Sequence, residues 1–171
     1  MWAPWRKTYL RSSSSKRSGC LFCRLLKDKR DKRNFVLLRT VHHTVILNRY
    51  PYNNGHLMIV PNRHIACLSQ MNAWEREEFF EVFEKVRKAL EKTMRAQGFN
   101  LGMNIADVAG AGVPDHLHWH VVPRWKGDVN FMPIIGGAKV ISESLESAYE
   151  VLSHALTGKT PSGPRVHKKA K

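Results

Sequence analysis

Apolar and polar positions along this chain follow two rhythms, one of period two and one of period three to four. Phe35–Val41, Thr44–Leu47 and His56–Val60 are short runs of β-branched and apolar residues, which predicts three strands. The stretch from Asn48 to Gly55 is dense in turn formers, and Pro61 is expected to stop the third strand. From Asn72 to Gln97 the rhythm changes. Trp74, Phe79, Val82, Phe83, Val86, Leu90 and Met94 recur at helical spacing and predict one long amphipathic helix whose apolar stripe is core. Asn72 and Glu75 have capping-box spacing at its start, and Gly98 is expected to end it. Strands are then predicted at Asn100–Ala106 and His116–Val122, with a loop over Asp107–Asp115 between them. Pro123–Gly137 reads as irregular and Ile141–Ala155 as a second, short helix. Strands, one long helix, strands and a short helix predict an α+β fold, an antiparallel sheet with a helix on one face.

Charge changes this picture at the two ends. The chain has 171 residues and a net charge of +14, but residues 1–34 carry +9, residues 157–171 carry +5 and the middle sums to zero. The predicted organisation is an N-terminal extension over 1–19, a catalytic unit over 20–156 and a basic tail over 157–171. The basic ends suit weak attraction to polyanions such as nucleotides or RNA. No apolar run approaches the roughly 20 residues of a membrane-crossing helix, and the N-terminus lacks a signal-peptide core, so a cytoplasmic protein with no membrane partner is expected.

The histidines carry the chemistry. In His116-Leu117-His118-Trp119-His120-Val121-Val122 three imidazoles alternate with apolar residues. On a strand that spacing places all three on one face, roughly 6.6 Å apart. Two of them can then act on one phosphate, or one can hold a metal beside another that does chemistry. A neutral, oriented imidazole can attack phosphorus and form a phosphoramidate. His118, in the middle of the row, is best placed for this, with His120 supporting the phosphate oxygens. Ala109-Gly110-Ala111-Gly112 offers backbone that can approach a phosphate closely, and consecutive N–H groups there could form an anion nest.

Cys20 and Cys23 form a two-cysteine knuckle. No thioredoxin-like βαβ unit follows them, which favours metal over redox chemistry. A tetrahedral zinc needs two further ligands, and the nine histidines are the candidates, among them His64 just past a core strand and His116 at the mouth of the histidine strand. Four protein ligands would make that site structural.

His116 through Arg124 resembles the signature of the histidine triad (HIT) superfamily of nucleotidyl transferases and hydrolases. Ala3–Arg6, Gly19–Cys23, the Asn48–His64 segment, Ala109–Gly112 and Trp125–Pro133 extend the likeness to the bacterial branch named for diadenosine tetraphosphate phosphorylase. The resemblance implies a HIT-like sheet of about five strands, with His118 as the nucleophile and His120 on the phosphate. It places Asn48 at the ribose, Ile46 and Leu47 near the base, and Asn104, Gly110, Ala111 and Gly112 about the phosphate. It also implies zinc on Cys20, Cys23, His64 and His116, and a homodimer built through the long helix and a sheet edge. There are departures. Gly112 and Val113 stand where many members have glutamine and serine or threonine. Ala106 and Asp115 stand where glycine is expected.

The expected activity is nucleotidyl transfer from a dinucleoside polyphosphate through a covalent nucleotidyl-histidine, with phosphate as acceptor. The alternative is a hydrolase using water, acting on a dinucleoside polyphosphate or a nucleoside phosphoramidate. Two readings of another class are a zinc-knuckle nucleic-acid-binding module and a metallohydrolase that uses the triad itself as ligands.

Overall fold

The computed structural model describes residues 19–128 and 143–158. Residues 1–18, Val129–Pro133 of the resemblance, the start of the second helix at Ile141 and most of the basic tail lie outside the described residues. In chain order the elements are α1 (Leu21–Lys27), α2 (Asp31–Asn34), β1 (Val36–Arg39), β2 (His43–Leu47), β3 (Leu57–Pro61), α3 (Ala73–Met94), β4 (Gly98–Gly102), β5 (Trp119–Arg124) and α4 (Leu145–Thr157). The five strands form one antiparallel sheet in the order β1-β2-β3-β5-β4. This is the α+β architecture expected from the two rhythms.

The strict alternation of side chains gives the sheet two distinct faces. Val45, Leu47, Leu57, Ile59, Leu117, Trp119 and Val121 point to one side and pack on α3 and α4. Full burial of each large aliphatic chain there contributes about 1.5–3 kcal/mol. Val36, Ile46 and Val60 point to the other side, where Phe22 of α1 covers them. The histidine row lies on this second face: the Phe22 ring is 5.4 Å from that of His116 and 5.0 Å from that of His118.

α3 begins as its capping box predicts. Asn72 Oδ1 accepts the Glu75 N–H at 2.9 Å, and the Glu75 carboxylate accepts the Asn72 N–H at 2.9 Å. Phe79, Val82, Val86, Ala89 and Leu90 form its buried stripe. Trp74, expected in that stripe, is 70% exposed. Gly98 does not end the helix. Arg95 does so in the left-handed conformation (φ 54°), and Gly98 opens β4 opposite Arg124. α4 starts on a Ser144 cap and runs through Thr157, so the expected start of the tail falls inside it.

Two short helices, α1 carrying Cys23 and α2 following it, lead into β1. α1 buries only Phe22 and is too short to show a period. Its C-terminal carbonyls are held from outside: the Arg39 guanidinium donates to the carbonyl oxygens of Leu26 (2.8 Å), Leu25 (3.3 Å) and Asp28 (2.8 Å). That contact comes from β1 and no local rule announces it.

Candidate active site

Cys20, Cys23, His64 and His116 converge, with one ligand atom from each lying within 4.8 Å of every other. Cys20 caps α1 and Cys23 sits within it, so one helical turn aims both sulfurs the same way. His64 comes from the segment after β3. Arg63 anchors that segment, donating to the buried Glu75 carboxylate (2.6 and 2.8 Å) and to the Gln70 carbonyl (2.6 Å). Its charge holds the Glu75 pKa down to about 2.

The donor spacings suit a tetrahedral ion. His64 Nδ1 and His116 Nδ1 are 3.2 Å apart, and sulfur–nitrogen distances are 3.3, 3.3 and 3.6 Å. Zinc bond lengths at tetrahedral angles demand edges of about 3.3–3.8 Å. His116 Nε2 is 3.0 Å from the Pro61 carbonyl oxygen, so it carries the proton and leaves Nδ1 free as a ligand.

The next two histidines are committed elsewhere. His118 Nδ1 donates to the main-chain carbonyl of His116 at 2.9 Å, which leaves the lone pair on Nε2. Burial lowers its pKa, so the ring is neutral at pH 7. The His120 ring stands 5.1 Å from the His118 ring. Its Nδ1 lies 2.9 Å from Nε2 of His56, a fourth histidine that is fully buried.

The hydrogen-bond network sets the tautomers of this pair. The Tyr52 main-chain N–H donates to His56 Nδ1 at 3.0 Å, so His56 bears its proton on Nε2 and donates to His120 Nδ1. His120 is left with its proton on Nε2. Burial, helped by His120 and His118, pushes His56 down to about 3, and burial together with His118 pushes His120 to about 4. The site therefore combines a neutral imidazole with a free lone pair and a neighbouring imidazole with a proton to give.

A model of the HIT domain family matches residues 29–127. An AP-4-A phosphorylase of Mycobacterium tuberculosis is 36% identical over 159 residues, covering 90% of this chain and 82% of that protein. The chain belongs to the HIT family. An asymmetrical bis(5'-nucleosyl)-tetraphosphatase of Schizosaccharomyces pombe is 32% identical over 93 residues, 54% of this chain and 50% of that protein. Among solved structures, a zinc-bound histidine triad family protein from Mycobacterium smegmatis shares the fold, with a TM-score of 0.66 at 24% identity over 85% of this chain and 96% of that one.

Within this HIT domain the structure sorts the residues expected around the nucleotide. Ile46 faces the histidine side, one strand from His120 through its register partner Met58. Leu47 is a correction. As the next residue on the strand it points to the opposite face and is buried among the helix-side core, so its side chain cannot reach a base. Asn48 ends β2 beside the pair, with its amide nitrogen 3.3 and 3.4 Å from the ring nitrogens of His56. Asn104 donates to the Gly110 carbonyl at 3.4 Å and ties the glycine loop to the exit of β4.

The expected anion nest is a second correction. Gly110 N–H donates to Asp107 (2.8 Å) and Ala111 N–H to Ala106 (3.4 Å), so these two amides serve the loop itself. Gly110 caps a single 3-10 turn at φ +86°. Of the three histidines of the row, only His116 joins the cysteine cluster; His118 and His120 bond through Nδ1 to a carbonyl and to His56.

Ala106 shows why glycine is expected there. It sits at φ 66°, ψ 167°, a region that essentially only glycine occupies. Ala106→Gly is expected to raise stability by about 1 kcal/mol, because relief of strain exceeds the added chain entropy. Denaturant midpoints of the two proteins measure this, and a lower midpoint for the glycine variant refutes it. Asp115, the other departure, is exposed.

His56 is the residue that sequence reading missed. It appears there only as the first position of an apolar strand. Gly55 before it was a usable signal. Gly55 adopts φ +68°, and a Cβ on it would lie 2.6 Å from Met94 Sδ, so only glycine lets the chain turn into His56 against α3.

Proposed function

We propose that this HIT chain is a nucleotidyl transferase that cleaves dinucleoside polyphosphates of the diadenosine tetraphosphate kind through a nucleotidyl-His118 intermediate. The observation that carries the reading is the paired tautomers: an available lone pair on His118 Nε2 beside a donor on His120 Nε2. His118 Nε2 attacks the α-phosphorus and the bond to the bridging oxygen breaks. His120 donates a hydrogen bond from Nε2–H to the departing oxygen, which leaves as the phosphate anion, and His56, donating to His120 Nδ1, holds that N–H in place. The acceptor oxygen then displaces His118 Nε2 from phosphorus, and any proton the acceptor carries leaves to solvent.

Phosphate as acceptor yields a nucleoside diphosphate, and water yields a monophosphate. The phosphorylase relative, similar over 90% of this chain, favours phosphate. The test is incubation with diadenosine tetraphosphate with and without phosphate. ADP and ATP formed only with phosphate support the proposal. AMP formed regardless of phosphate supports a hydrolase, and no turnover of any dinucleoside polyphosphate refutes the reading.

Cys20, Cys23, His64 and His116 would hold zinc. With four protein ligands the ion has no open position, and its contribution is to hold the knuckle and the histidine row together. The homodimer implied by the resemblance is supported by the position of β4 at the sheet edge among the described residues, where Leu101 is exposed, and by exposed Ile105 just beyond it.

The pair also predicts an acid limb. Both rings are neutral above their lowered pKa values, and protonating either one breaks the His56–His120 bond pattern. Activity should hold from pH 7 down to about 5 and fall as pH approaches 4. Stability follows the same sign. Unfolded histidines take up protons below about pH 6.5, and the buried pair does not, so this stability is complete above that value and is lost as pH falls. A kcat profile flat to pH 3, or one falling below pH 7, contradicts the assignment.

A further inference from the structure

We infer that Tyr52 is a positioning residue for the His56–His120 pair, fixing its proton arrangement through the main chain and walling it from water with its ring. The inference rests on the catalytic reading above and adds a residue to it.

The Tyr52 main-chain N–H is the donor that makes His56 Nδ1 an acceptor, at 3.0 Å. The same residue lays its ring over the pair: the ring centroids are 4.7 Å from His56 at 34° and 5.9 Å from His120 at 37°. Tyr52 is itself 43% exposed while His56 beneath it is fully buried, so one plane of the phenol faces solvent and the other faces the imidazoles. A flat, stiff side chain suits this task because it covers area with few rotatable bonds. The chain rule explains the double duty. Asn53, the next residue, is pinned to the Pro123 carbonyl (2.9 Å) and to Asp128 (2.8 Å), which holds the turn against the end of β5.

The covering ring bears on proton transfer because the pair is kept neutral chiefly by exclusion from water. Among the described residues, the titratable groups acting on the pair are His118 and the two members themselves. The Asn48 amide approaches His56 from β2, Met58 of β3 and Gly102 of β4 lie opposite His120, and none of these carries charge. Removing the ring uncovers the pair to water among the described residues.

The test uses Tyr52→Phe, Tyr52→Leu and Tyr52→Ala in the full chain. The imidazole nitrogens of His56 and His120 are titrated by NMR without substrate, and kcat and KM are measured against pH with diadenosine tetraphosphate. Tyr52→Phe should titrate as the parent and keep kcat within about twofold. Tyr52→Ala should raise the pKa values of both rings by about one unit or more toward the ordinary histidine value and move the acid limb of kcat upward with them. Its kcat near neutral pH should fall about tenfold, with KM changed less than threefold. Tyr52→Leu should fall between. Unchanged ring titration in Tyr52→Ala overturns the inference. So does a loss confined to KM, or equal damage in Tyr52→Phe, since either makes Tyr52 a substrate contact. The titration needs no turnover, so it stands even if the catalytic reading fails.

Discussion

Replacing His118 with alanine is expected to lower kcat by about 10⁴-fold or more while leaving the fold and nucleotide binding in place. Loss of a nucleophile that acts with its partners as one unit removes nearly all of the chemical step. The His118 ring donates to a main-chain carbonyl and packs on Phe22, so its loss costs one hydrogen bond and one ring contact, far less than the fold's total stability. Two measurements check it: steady-state turnover, and mass spectrometry of the protein quenched during turnover. The parent should carry one nucleotidyl adduct on His118, and the variant none. A His118→Ala protein with parental turnover, or an adduct found on His120, would overturn the assignment of roles. His120→Asn is the informative companion. It keeps a polar side chain at that position but loses the imidazole N–H that His56 holds toward the departing oxygen, so the adduct should form slowly and still be found on His118.

Removing the metal is the second large effect. Chelation of the zinc-loaded protein, or Cys23→Ser, is expected to cost about 3 kcal/mol or more, because ligand binding at such a site is folding energy. For a domain of this size that lowers the thermal midpoint by about 10 °C. A catalytic loss should accompany it. His116 contributes its side chain to the cluster and its main-chain carbonyl to His118, so loosening the first disturbs the second. The expectation is a fall in kcat larger than any rise in KM, with re-addition of zinc restoring both midpoint and rate in the parent but not in Cys23→Ser. Metal analysis of the purified protein supplies an independent readout: about one zinc per chain in the parent and much less in the variant. Equal metal content and equal thermal midpoints would show that these four residues do not hold an ion. Burial already raises the Cys23 thiol pKa with no ion present, so thiolate formation there needs a cation to draw it.

The histidine row shows how much was legible before folding. Three imidazoles at period two point to one face, and the structure puts them on one face of the sheet, although the hydrogen-bonded ladder begins only at Trp119. Their inequality was legible too, but only through the distant cysteines, which claim His116. The capping box of Asn72 and Glu75 was visible because it is local, spanning four residues. The end of the same helix was misplaced because a glycine three residues further on imitates a stop signal, while the actual stop is an arginine in a conformation that its type does not advertise.

What escaped the sequence has one cause in common. Leu47 was placed near a base because it neighbours Ile46 and Asn48, yet one step along a strand reverses the face. His56 was passed over because its partner is 64 residues away. The β3–β5 register, with Met58 opposite His120, is what sets that meeting. The glycine loop offered small residues, but whether their amides remain free depends on turns that close only when Asp107 and Ala106 fold back on them.

By itself, then, the sequence determined the architecture and the shared face of the three histidines, because each is written in spacing and residue type; the four residues that converge as a candidate metal site were named through the family resemblance. Only the tertiary structure decided which nitrogen of each ring is free. That depends on single carbonyls and amides of Pro61, His116 and Tyr52 held within 3.0 Å of the rings, and the direction of a hydrogen bond, whether its partner is two, four or 55 residues away, leaves no periodic trace in the sequence.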